Sequence, residues 1–138
     1  MIIDAKDLIL GRLASFAAKH ALLGETVDIV NAEEAVITGN KKWTVAHYVQ
    51  TRDRGIPLQG PYFKRMPDRF VKRAIRGMLP YKQDKGKNAY KRIMCYIGVP
   101  ISLQGKKAET VEFANISKVP NTRFIKVKDL CKLLGASI

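Results

Sequence analysis

The sequence predicts an α/β fold on a small, mostly parallel sheet of about four strands, and three observations predict it. An apolar start at Ile2-Ile3, a helix-period segment from Gly11 to Leu23 and a β-branched run at Thr26-Val27-Asp28-Ile29-Val30 follow one another within the first thirty residues. Strand, helix, strand at that spacing is a βαβ unit, whose crossover joins parallel neighbours with a right-handed connection. The 138 residues and their 46% hydrophobic share suit one compact domain, residues 1–138, with enough apolar material for a core.

Each element has its own local reason. Ile2 to Ala5 reads as a short buried strand. In the helix that follows, Leu10, Leu13, Ala14, Ala17, Ala18, Ala21 and Leu22 recur at three-and-four spacing, the mark of one apolar face, and Gly24 stops it. Ala35-Val36-Ile37-Thr38 is a further strand or sheet edge ended by Gly39-Asn40. Lys41 to Arg52 reads as a helix with Val45, Tyr48 and Val49 on one stripe; Trp43 beside them is expected to be buried, with stacking on a base as the alternative. From Thr51 to Met66 the period breaks at Gly55, Pro57, Gly60 and Pro61, and an irregular segment of that length is functional or disordered. Its charges predict that it stays unordered until a polyanion arrives. Pro67 suits a helix first turn, and the helix runs from there to Met78. Pro80 to Gly86 reads as a second basic loop, Lys87 to Met94 as a helix, and Met94 to Gly98 as a closing strand. Residues 99–125, with Pro100, Gly105 and Pro120, read as an extended arm, and Val127, Leu130, Cys131 and Leu134 as an amphipathic helix closed by Gly135. Residues 1–98 thus form the α/β core with its basic loops, and 99–138 the arm and C-terminal helix.

Charge is unevenly placed. Lys plus Arg number 25 against 12 Asp plus Glu, a net +13 with pI near 10.0. Residues 1–40 carry a net −3, residues 41–92 a net +12, and residues 93–138 a net +4. A fold this basic repels itself unless a polyanion neutralises it. The densest stretch is the 68–78 helix. Phe70, Val71, Ala74, Ile75 and Met78 fall on one side at about 100° per residue, and Arg69, Lys72, Arg73 and Arg76 on the other. Like charges at these spacings oppose the helix by about 0.2–0.5 kcal/mol per pair, an arrangement that makes sense when phosphates fill the face. The 51–66 loop adds Arg52, Arg54, Lys64 and Arg65 beside Tyr62 and Phe63, which suits phosphate contact with base or sugar stacking.

Catalytic and membrane chemistry leave no comparable trace. The sequence has no phosphate-cradling GxxxxGK[ST], no GxGxxG, no GxSxG elbow and no HExxH. His20 and His47 lie on separate helices without a carboxylate at helical spacing. Glu33-Glu34, the only adjacent acidic pair, reads as a solvated face, and Cys95 and Cys131, 36 positions apart, as buried thiols. No run approaches the roughly 18 apolar residues that cross a bilayer. The start Met1-Ile2-Ile3-Asp4-Ala5-Lys6-Asp7 lacks the pattern of a secretory signal, so a cytoplasmic location is expected.

The run Ala74-Ile75-Arg76-Gly77-Met78-Leu79-Pro80, with Gly86 and Arg92-Ile93 after it, resembles the signature of the universal large-subunit ribosomal protein family uL-thirteen. Asp4-Ala5 with Leu10-Gly11-Arg12-Leu13-Ala14-Ser15, and Val30-Asn31-Ala32 with Ile37-Thr38-Gly39, are similar to its first and second blocks; Gly60-Pro61-Tyr62-Phe63 is similar to the archaeal and eukaryotic branch. The resemblance implies a three-layer α/β/α fold and a structural protein of the large ribosomal subunit. It further implies large-subunit rRNA and neighbouring ribosomal proteins as partners, with no cofactor, no metal, no catalytic residue, no membrane and no small-molecule substrate. Together with the charge pattern it nominates Lys41, Lys42, Arg52, Arg54, Tyr62, Lys64, Arg65, Arg69, Lys72, Arg73, Arg76, Gly77, Lys82, Lys85, Lys87, Lys91 and Arg92 as the rRNA-binding set. Gly77 enters because it lets a backbone approach phosphates closely. Two other readings stand beside this one. An RNA-modifying or RNA-processing enzyme on a Rossmann-like sheet needs a pocket at the carboxyl ends of the strands. A membrane-surface protein needs bulky residues on its basic helix that are free to enter lipid.

Overall fold

The computed structural model describes residues 1–120 and 123–138; the stretch of the expected arm at 121–122 lies outside them. Strand β1 (Ile2–Asp4), helix α1 (Leu10–Leu22) and strand β2 (Val27–Val30) form the βαβ unit, with Ile3 beside Ile29 in parallel register. Strand β4 (Ile93–Cys95) adds on the far side of β2, giving a three-stranded parallel sheet in the order β1-β2-β4. Ile3, Val27, Ile29 and Ile93 are fully buried, as strands covered by helices require.

The fourth strand leaves this sheet. Asn31 adopts a left-handed φ of 54°, and a 3-10 turn at Ala32–Glu34 redirects the chain. Strand β3 (Val36–Thr38) therefore finds a different partner, β5 (Phe124–Lys126), in an antiparallel pair. The result is a mixed α/β fold: a small parallel sheet plus a two-stranded ribbon. Only part of that ribbon was foreshadowed by residues 35–38.

Alanines shape the helical layer. Leu10, Leu13, Ala14, Ala17, Ala18 and Ala21 of α1 are buried, and their small side chains admit two further helices against it. These are α3 (Pro67–Gly77) and α4 (Asp84–Lys91). The face of α1 ends at Ala21; Leu22, expected on it, is 44% exposed. Helix α3 buries Phe70, Val71 and Ile75 between α1, β4 and the C-terminal helix α5 (Val127–Leu133). It stops at Gly77, one residue earlier than expected. Met78 consequently turns outward, 49% exposed, and Leu79 takes the inward place.

Helix α4 begins at Asp84, three residues before the position the sequence indicates, and runs through Gly86. The reason is a close approach. A Cβ at Gly86 would stand 2.1 Å from the Pro80 carbonyl oxygen and 2.9 Å from the Tyr81 nitrogen. The glycine is there so that the Pro80-Tyr81 backbone can lie against the helix, not to end it. The strand after α4 is correspondingly shorter than 94–98, although Tyr96 N–H still donates to the Ile29 carbonyl at 2.8 Å.

Helix α2 (Lys41–Asp53) lies at the periphery. The Asn40 side chain accepts from the Lys42 N–H at 3.0 Å and caps it. The arm expected over residues 99–125 packs back on the domain: Glu109 pairs with the edge of β1, and the Ala114 carbonyl and Ile116 N–H bond to Ile9 and Asp7 just beyond it. Asp4 N–H donates to the Glu109 carbonyl and Glu109 N–H to the Ile2 carbonyl, while Val111 and Ala114 are buried in the core.

The Glu33-Glu34 pair is not the solvated face that was expected. Glu33 accepts the Gly98 N–H at 3.0 Å, and Glu34 pairs with Lys126 of β5. The hydrogen bond from Lys126 holds the Glu34 carboxyl below its ordinary value of 4.5. A carboxyl depressed in the folded state contributes stability that is present above the ordinary value and is lost as pH falls through the folded one. Lys126→Met is therefore expected to lower the thermal midpoint near neutral pH by an amount worth under about 1 kcal/mol, since both groups are partly exposed. The gap from the parent should close as pH falls below 4.5, read in a thermal-melt series across pH.

Candidate nucleic-acid interface

The amphipathic division of α3 fixes where its cations point. With Phe70, Val71 and Ile75 inward, Arg69, Lys72, Arg73 and Arg76 share the outer side. Among the described residues none of the four makes an ion pair. Aromatic rings brace three of them instead. Lys72 Nζ sits 5.0 Å from the centre of the Tyr90 ring, the Arg73 guanidinium 4.8 Å from Phe63, and the Arg76 guanidinium 5.1 Å from Tyr81. Each contact orients a cation without neutralising it, for about 0.5–1 kcal/mol at an exposed site.

The same side chains line a groove of about 510 Å³, together with Pro61, Tyr62, Lys64 and Tyr90. It contains five cations and no carboxylate. At one end Pro61 and Tyr62 lead into a hollow holding Arg52, Arg54 and Arg65, and at the other Arg76 and Tyr90 lead into one holding Lys87 and Lys91. Loop 54–66, α3 and α4 thus contribute to one connected, predominantly positive surface, whose two end hollows also hold Asp53 and Asp84, ion-paired with Arg52 and Lys87. Tyr62 is exposed within it, its hydroxyl donating to the Leu58 carbonyl at 2.8 Å, so its ring is presented to the groove.

The remaining nominated residues are placed less uniformly. Gly77 lines an adjoining hollow that it shares with Arg73 and His47. Lys82 and Lys85 are exposed on the turn before α4 and at its start, outside the groove lining. Lys41 and Lys42 are exposed at the head of α2, also outside it. Arg92 is exposed and has a second engagement: its guanidinium donates to the Ala21 carbonyl at 3.3 Å, at the C-terminal end of α1. Arg52 is likewise engaged, with Asp53 at 2.7 and 3.1 Å and with the Leu134 carbonyl at 3.3 Å. That pairing raises the Arg52 pKa and lowers that of Asp53. Lys87 faces Asp84 at 3.2 Å one turn away, an exposed pair that leaves it available.

Three aromatic braces were not foreseen. Tyr81 and Tyr90 carry no periodic signal, and Phe63 reads from the sequence as a stacking residue of the loop. Trp43 is the larger correction: it is 68% exposed, not buried. The inward stripe of α2 is Thr44, Val45, Tyr48 and Val49, and Trp43 falls on the opposite side with Ala46, His47 and Gln50. The phase of Val45 and Val49 carried that information.

Other chemistry is sparse. Burial pushes the thiols of Cys95 and Cys131 up to about 12, which keeps them neutral. His20 does have a carboxylate neighbour, Glu25, at 3.2 Å across the turn after α1. Among the described residues no group of three His, Cys, Asp or Glu is placed to hold a metal ion, and no helix is long and apolar enough to cross a membrane.

Comparison with known proteins gives a consistent result. The model of the family described as "Ribosomal protein L13" matches residues 1–102. The large ribosomal subunit protein uL13 of Archaeoglobus fulgidus is 45% identical over 135 residues, covering 97% of this chain and 86% of its own. Those of Methanococcoides burtonii and Methanocaldococcus jannaschii are each 45% identical, covering 98% of this chain and 97% of their own.

Proposed function

The chain belongs to the ribosomal protein L13 family, and from that premise we propose that its groove of unpaired cations is the surface it lays against large-subunit rRNA. The protein is a structural constituent of the large ribosomal subunit, cytoplasmic with it, and not an enzyme. Its partners are ribosomal RNA and other ribosomal proteins.

The observation that carries the assignment of the surface is the outer side of α3, where four cations stand three and four residues apart with aromatic braces and no carboxylate. Repulsion between them is tolerated in the free protein because phosphates relieve it on assembly. Loop 54–66 extends the surface on one side and α4 on the other, so the sugar-phosphate backbone can be followed over several nucleotides. Arginines dominate the centre, which suits bidentate contact with phosphate oxygens. With roughly six phosphates neutralised, log affinity falls against log salt with a slope near −4 to −5.

Sedimentation tests the reading. The protein is expected to travel with the large subunit at moderate salt and to be released at high salt. Migration as free protein at moderate salt, or with the small subunit, would contradict it.

A further inference from the structure

We infer that Trp43 and His47 on the outer side of α2 form a stacking platform for an unpaired base of the rRNA. The inference rests on the rRNA-binding reading and adds to it a second, chemically different site.

Four observations converge. A tryptophan 68% exposed on a regular helix contributes nothing to the core, so its large ring needs another reason to be there. The indole lies nearly parallel to the His47 imidazole, 9° between planes and 5.2 Å between centres, one helical turn on. His47 is in turn held edge-on by Tyr48 at 5.5 Å. The indole thus has a flat support behind it and is fixed in orientation before any ligand arrives. Second, the charge around it is positive: Lys41 and Lys42 precede it, both exposed, and the only acid on α2 is Asp53 at the far end, already engaged by Arg52. Third, the platform is continuous with the basic surface, because His47 lines the same hollow as Arg73 and Gly77 of α3. A strand whose phosphates follow α3 is led directly past the stack. Fourth, that hollow contains no carboxylate to repel it.

A flat ring with cationic neighbours fits a nucleobase better than a protein segment. Stacking uses the π-face that every base has, while lysines at the helix head take the flanking phosphates. A base inside a duplex hides both faces, so the platform selects an unpaired nucleotide.

Trp43 is the only tryptophan in the chain, so red-edge-excited emission reports this site alone. Oligoadenylate added at low salt is expected to quench it. An RNA duplex of similar charge is expected to bind through its phosphates without quenching. Trp43→Ala should weaken oligoadenylate binding, followed by anisotropy of a labelled strand, by roughly fivefold to a hundredfold, while Trp43→Phe recovers most of it. Because the side chain is exposed, Trp43→Ala should melt within a degree or two of the parent, a check that any loss is not misfolding. Binding of oligoadenylate without quenching, equal quenching by duplex, or unchanged affinity in Trp43→Ala would overturn the inference. So would emission that ignores RNA and responds to neighbouring ribosomal proteins. If the protein still travels with the large subunit in those cases, the platform alone has failed; if it does not, the underlying reading has failed as well.

Discussion

Replacing Arg69, Arg73 and Arg76 together by glutamine should lower affinity for large-subunit rRNA by roughly 100- to 500-fold near 0.1 M salt. The loss follows from counterion release. Each phosphate contact contributes about 0.7 to 0.9 to the slope of log affinity against log salt, so losing three flattens the slope by about 2 to 3. The same change should leave the free protein folded. None of the three is ion-paired among the described residues, and removing them relieves repulsion along α3 while giving up two ring contacts of similar size. Charge and shape are separable here. The corresponding triple lysine variant keeps the slope and loses only the bidentate geometry, so it should fall between the parent and the glutamine variant. Filter binding across a salt series, with a thermal melt of each variant, reads both quantities. An unchanged slope in the glutamine variant would remove α3 from the interface.

Gly86→Ala should be the most destabilising methyl group that can be added to α4. Helix propensity alone argues the other way, since alanine is favoured over glycine by about 1 kcal/mol in a helix interior. The neighbours decide the sign. The new Cβ would meet the Pro80 carbonyl at 2.1 Å, and the atom in the way is backbone, which cannot rotate aside. Overpacking of this kind costs about 1–3 kcal/mol or more. For a chain of this size that lowers the thermal midpoint by roughly 3–5 °C per kcal/mol. Gly77→Ala supplies the comparison. It lies in the last turn of α3 with nothing within 4 Å of the added carbon, so its melt should stay level or rise. Equal behaviour of the two variants would mean that the Pro80-Tyr81 turn does not depend on close approach to α4.

The parts legible in the sequence are those fixed by local period. The βαβ start is read from Ile3, the alanines of α1 and the β-branched run of β2, because those residues choose their faces within a few positions of one another. Helix α3 is legible for the same reason: both its stripes lie within eleven residues. Most of what escaped depends on which other segment packs against a residue. The pairing of β3 with β5 joins residues 36–38 to 124–126, and the Glu34–Lys126 contact spans the same gap. Arg92 turns to the end of α1, 71 positions back, and so reads as a free cation until the fold is known. Gly86 reads as a loop residue because sequence shows what glycine permits and not which backbone approaches it. The rings beneath Lys72, Arg73 and Arg76 are a similar case: the positive stripe is local, but its braces come from the loop before α3 and the segment after it. The candidate site was therefore visible as a charge pattern, while the orientation of its charges was not.

In the proposed assembly the outer side of α3 lies against phosphates. The most direct measurement is a structure of the assembled large subunit containing this chain. The expected result places the guanidinium groups of Arg69, Arg73 and Arg76 within hydrogen-bond distance of phosphate oxygens, with the groove beside Tyr62 and Lys64 occupied by the RNA backbone. An α3 whose outer side faces solvent or another protein, with the RNA contacting residues 1–40 or 99–118 instead, would contradict it.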